Sequence, residues 1–96
     1  MRRANLRASP NLSGYGRSLA LAVAAGTRGG TLPAVLNAAN EIAVAAFLDR
    51  RIRFPQIWEI VARAMDKCPH ADHPDLEQLL ETDRSARELA SRLVVE

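Results

Sequence analysis

The chain has one cysteine, one tryptophan, one tyrosine, two phenylalanines and, among thirteen basic residues, a single lysine, Lys67. A lone Cys68 excludes an internal disulfide and fits a reducing, cytoplasmic compartment. Valine and isoleucine together number 10, against 17 alanines and 12 leucines. Ala and Leu favour helix, whereas β-branched and aromatic side chains favour strand, so this shortage argues against a sheet. The longest purely apolar runs, 19–25 and 42–48, have seven residues each. That is far short of the ~18 that span a bilayer, so no membrane partner is expected. Ninety-six residues also leave no room for a dinucleotide-binding fold beside a substrate domain.

What is present is enough apolar material for one globular domain, 48% of the chain. The net charge of +2 is unevenly spread. Arg2, Arg3, Arg7 and Arg17 occur in the first 17 residues with no acid, and the remainder carries −2. Residues 1–15 read as an irregular basic arm containing Pro10, Asn11, Ser13 and Gly14; residues 16–96 read as the folded domain. The arm lacks interleaved aromatics, so nucleic acid is not the expected partner. Basic residues ahead of 19–25, and Ala22-Val23-Ala24 after them, imitate a secretory leader, but the apolar core is as short as such leaders allow.

The pattern predicts an all-α fold, a small helical bundle of about four to five helices behind the arm. A first helix is expected over 16–25, stopped by Gly26 and Gly29-Gly30. Thr31-Leu32-Pro33 opens a second, running to Asp49, with Pro33 in its first turn. Leu36, Asn40, Ala43 and Phe47 share one face, widened by Ala39 and Leu48; with so little charge, this helix should be the central one. Pro55 opens a third, carrying Ile57, Ile60, Val61, Ala64 and Met65. After a loop from Cys68 to Pro74, Asp75 caps a short helix with Leu76, Leu79 and Leu80. Thr82 or Asp83 then starts a last one with Ala86, Leu89, Ala90, Leu93 and Val94.

Few features point to chemistry. Gly14-Tyr15-Gly16 is an incomplete phosphate-binding fingerprint with no strand before it. Cys68, His70, Asp72 and His73 offer metal-compatible ligands, but no second pair completes a structural site. Trp58 and Arg63 are candidates for a partner surface. No nucleophile–base–acid set is recognisable, so no catalytic, cofactor-binding or metal residue is assigned. The most informative stretch is Asn37-Ala38-Ala39-Asn40-Glu41. Asparagine transfers no useful proton, and a buried amide needs partners. Asn37, Asn40 and Glu41 are therefore assigned a structural or domain-contact role.

The segment 29–48, with Gly29-Gly30-Thr31-Leu32-Pro33 leading into Leu36-Asn37-Ala38-Ala39-Asn40-Glu41, resembles the C-terminal helical domain of 1-deoxy-D-xylulose 5-phosphate reductoisomerase. The likeness continues through Ile52-Arg53-Phe54 and Ile57 and returns at Asp83-Arg84-Ser85-Ala86-Arg87, covering residues 16–94. Tyr15-Gly16-Arg17-Ser18 stands where that family has an Arg-aromatic-Pro-rich lead into its first helix. The resemblance implies an enzyme of the non-mevalonate route to isoprenoids, making 2-C-methyl-D-erythritol 4-phosphate with NADPH and Mg²⁺ or Mn²⁺. It places the nucleotide-binding and catalytic domains outside this chain, which itself binds no cofactor. The chain then reads as a detached C-terminal domain, inactive alone, supporting a separate reductoisomerase catalytic chain in the cytoplasm. The alternative is a small helical protein-interaction module unrelated to catalysis.

Overall fold

The computed structural model describes residues 10–95, with side chains from Gly16 onward. Four helices follow one another: α1 (Pro10–Arg28), α2 (Leu32–Leu48), α3 (Phe54–Lys67) and α4 (Leu76–Val94). No strand occurs among the described residues. The chain is the all-α bundle that its composition implies.

Helix α1 is described from Pro10, six residues ahead of the expected start at Gly16. Proline in a first helical turn forfeits no hydrogen bond, and Gly14 and Gly16 weaken a helix without breaking it. The remainder of the expected arm, 1–9, lies outside the described residues. Gly26 does not stop α1 either. The stop is Gly29, at φ +66°, whose N–H returns to the Ala25 carbonyl at 2.9 Å.

Helix α2 has Pro33 in its first turn, as expected. It ends without glycine. Arg50 takes the left-handed conformation, φ 62°, and its N–H reaches the Phe47 carbonyl at 2.9 Å. The Arg51 N–H reaches that of Ala46 at 2.9 Å, completing a Schellman-type cap on an arginine. Helix α3 starts at Phe54-Pro55, where the Gln56 side chain accepts from the Arg53 N–H at 2.6 Å. Asp75 caps α4: its Oδ1 accepts from the Gln78 N–H at 2.8 Å, and Gln78 Oε1 accepts from the Asp75 N–H at 2.9 Å. The expected break at Thr82 or Asp83 is absent, so two anticipated short helices are one. Neither glycine nor proline lies there, and Glu81–Arg84 and Asp83–Arg87 pairs span the junction along one helix.

Among the described residues, helix α2 touches all three others, whereas α1 touches only α2 and α3. The core is built largely from alanine. Val35, Ala38, Ala39, Ala43 and Ala46 of α2 meet Ile57, Ile60, Val61 and Ala64 of α3 and Ala86, Ala90 and Leu93 of α4. Ile52, between α2 and α3, closes it. Of the apolar face predicted for α2, Ala39 and Ala43 are buried, Leu36, Asn40 and Phe47 are half-buried, and Leu48 is 73% exposed. Helices that press close select the smallest side chains for the line of contact and turn longer ones to its margin. Phe47 accordingly packs edge-on against Phe54, centroids 5.7 Å apart, and Phe54 against Trp58 at 6.2 Å.

Candidate domain-contact site

Asn37, Asn40 and Glu41 lie in the middle of α2, where regular helix geometry separates the first two by 300° and the outer two by 400°. Asn37 is exposed, and its Nδ2 donates to Glu41 Oε2 at 3.3 Å, one helical turn on. Glu41 reaches across to α4, where Arg87 donates to Oε1 at 2.9 Å. The Arg87 Nε donates to Asp83 Oδ2 at 2.8 Å. The result is a chain of four side chains, Asn37–Glu41–Arg87–Asp83, that fastens α2 to α4. Hydrogen bonds to Asp83 and then to Glu41 hold the Arg87 guanidinium protonated even more firmly than usual. Asn40 behaves differently. It is half-buried, and its enclosed Oδ1 accepts no hydrogen bond from the described residues. The two asparagines therefore do not act as a pair.

The link between Glu41 and Arg87 is not readable from sequence, since the two positions are far apart in the chain. The i, i+4 spacings of Asn37 with Glu41 and of Asp83 with Arg87 were the local signals.

A second polar junction ties the loop after α3 to the start of α2. The Thr31 N–H donates to the Ala71 carbonyl at 2.9 Å, and the Ala71 N–H donates back to Thr31 Oγ1 at 3.0 Å. Thr31 is the buried polar residue of the core, 2% exposed. Its hydroxyl therefore serves the loop, not the N–H groups of its own helix. Gly30, at φ +59°, lets the strands of chain meet: a Cβ there would overlap the Ala71 carbonyl oxygen. This junction was also missed in the sequence, because Gly29-Gly30 reads only as a helix stop.

Beside the junction, Thr31, Cys68, His70, Gln78, Glu81 and Ser85 line an open cleft of about 610 Å³. His70 Nε2 lies 2.8 Å from exposed Asp72 Oδ1, and its enclosed Nδ1 has no partner among the described residues. Partial burial pushes the Cys68 thiol up, so it stays protonated and weakly nucleophilic. Trp58 is half-buried against the core, its enclosed Nε1 unpaired among the described residues, while Arg63 is exposed. The described residues do not fit the cofactor or metal that the resemblance implies for a complete enzyme. Gly14-Tyr15-Gly16 lies within α1, not in a loop after a strand. No three His, Cys, Asp or Glu side chains among the described residues come together to hold an ion. Likewise, no helix among them is long and apolar enough to cross a membrane.

What the fold and its polar links define is a small all-α domain whose charged side chains join helices. The chain belongs to the family described as the DXP reductoisomerase C-terminal domain, whose model matches residues 9–89. The match begins seven residues earlier than the likeness drawn from the sequence and ends five earlier. Similar proteins include the 1-deoxy-D-xylulose 5-phosphate reductoisomerases of Desulforamulus reducens, 52% identical over 80% of this chain, and of Heliobacterium modesticaldum, 51% identical over 82%. That of Janthinobacterium sp. (strain Marseille) is 50% identical over 79%. In each case the chain spans 20% of the relative's length.

Proposed function

We propose that the chain acts as the C-terminal supporting domain of a 1-deoxy-D-xylulose 5-phosphate reductoisomerase and has no turnover by itself. The observation that carries this reading is the match over residues 9–89 to the C-terminal domain, combined with an all-α fold in which Glu41 and Arg87 fasten α2 to α4 and Thr31 fastens the loop after α3. The nucleotide-binding and catalytic parts, with NADPH and a divalent metal, belong to the portion of the enzyme this chain does not contain. The complete assembly would convert 1-deoxy-D-xylulose 5-phosphate to 2-C-methyl-D-erythritol 4-phosphate in the non-mevalonate route to isoprenoids. The expected partner is a reductoisomerase catalytic portion, on a separate chain or the same one, and neither nucleic acid nor membrane. A lone, unpaired Cys68 supports a reducing, cytoplasmic setting.

Complementation tests it. The purified chain is mixed with a reductoisomerase truncated before its C-terminal domain, and NADPH oxidation is followed with substrate and Mg²⁺. Neither component alone should turn over at the rate of the mixture. A folded chain that neither binds the truncated enzyme nor raises its rate would instead favour an interaction module unrelated to catalysis.

A further inference from the structure

Helix α1 carries two apolar stripes and uses one. Inward, Ser18, Leu21 and Ala25 recur every three or four residues; Ala25 is 1% exposed and Leu21 packs against the core. On the opposite side, Gly16, Leu19, Ala20, Val23 and Thr27 form a second stripe at helical spacing. All five are exposed, with Leu19 at 66% and Val23 at 57%. A helix apolar on both sides is ordinarily covered on both sides. Among the described residues no other helix covers the outer one, since there α1 touches α2 and α3 alone.

Two observations indicate the occupant. The matched family is a C-terminal domain, and the relatives are five times as long as the part this chain spans. Their remaining four-fifths therefore leads into the segment corresponding to α1 before any other helix. The charge that α1 itself carries among the described residues is also of one sign: Arg17 and Arg28 lie along one side of the stripe, and the helix has no acid. Small Gly16, Ala20 and Thr27 beside Leu19 and Val23 leave room for a partner backbone to come close.

We infer that the outer stripe of α1, centred on Leu19 and Val23, is the surface on which this domain docks against the catalytic portion of a reductoisomerase, at an apolar patch with an acidic rim. This rests on the function proposed above and names the surface that serves it.

The test is binding of the full 96-residue chain to a reductoisomerase truncated before its C-terminal domain, by sedimentation velocity and calorimetry. Three proteins are compared: the unaltered chain, Leu19→Glu/Val23→Glu, and Leu76→Glu/Leu80→Glu. The last pair is equally exposed, at 71% and 63%, but lies on α4. Circular dichroism checks that each is folded; all four positions face solvent, so each should be. The expected result is binding by the unaltered chain and the α4 variant, and a loss of at least about thirtyfold in affinity for the α1 variant. Equal binding by all three would overturn the docking face while leaving the proposed function standing. No binding by the folded, unaltered chain would overturn both. A concentration-dependent dimer abolished by the α1 variant, without binding to the truncated enzyme, would assign the stripe to a second copy and also overturn the proposal.

Discussion

Gly30 and Gly29 are neighbours with nearly the same backbone, φ +59° and φ +66°, yet their environments differ. Around Gly29 a Cβ would meet nothing within 4 Å, whereas at Gly30 it would strike the Ala71 carbonyl. Gly29→Ala should therefore cost only the left-handed conformation, about 1 kcal/mol. Gly30→Ala should add the overlap and disturb the Thr31–Ala71 pair, for about 2–4 kcal/mol in total. Urea unfolding of the two variants separates them, and equal losses would remove the role given to the junction. The sequence shows both glycines as a stop signal. It could not show that one of them admits a loop forty residues away, because that contact exists only once α2 and α3 have folded back on each other.

At the scale of the element, the sequence located every helix and most of their ends, missing the start of α1 and the continuity of α4. Pro33, Pro55 and Asp75 are strong local starts, and the structure uses all three. The end of α2 falls at the expected Asp49, but its cap rests on left-handed Arg50, a residue type that announces no stop, and the supposed gap before Asp83 is closed by side-chain pairs within α4. Periodicity also favoured the large residues of α2, while the contact line runs through its small ones. Ala90, fully buried on α4, should tolerate no enlargement: Ala90→Leu is expected to lower stability by about 1–3 kcal/mol. Ala45→Leu, on the exposed side of α2, should stay within about 0.5 kcal/mol. Thermal unfolding of both variants checks this, and a benign Ala90→Leu would mean the helices are not packed this closely. Of the site residues, Glu41 was legible as the one interior charge of α2, but its partner Arg87 was not.

Over the whole molecule, the four helices are not equally held. Helix α2 is enclosed by the other three, whereas α1 is the outermost and has one fully buried side chain, Ala25, among its described residues. Local opening follows the number of buried contacts an element would lose. Amide exchange should therefore be fastest in α1 and slowest in the middle of α2. Peptide-resolved hydrogen exchange gives this order directly, and an α1 as protected as α2 in the isolated chain would contradict it. The fold class was legible because composition alone separates an Ala- and Leu-rich chain from a sheet protein. The unequal coverage of its helices was not, since a period identifies that a face is apolar without saying what lies over it.

The alanine seam has a thermodynamic consequence. A methyl side chain leaving a helix contact exposes little apolar surface, so unfolding this core hydrates less of it than unfolding a leucine-filled core of equal length. The heat-capacity change of unfolding scales with that surface and sets the curvature of stability against temperature. A bundle joined through Ala38, Ala39, Ala43, Ala46, Ala64, Ala86 and Ala90 should therefore have a less curved stability profile than a leucine-filled bundle of equal length.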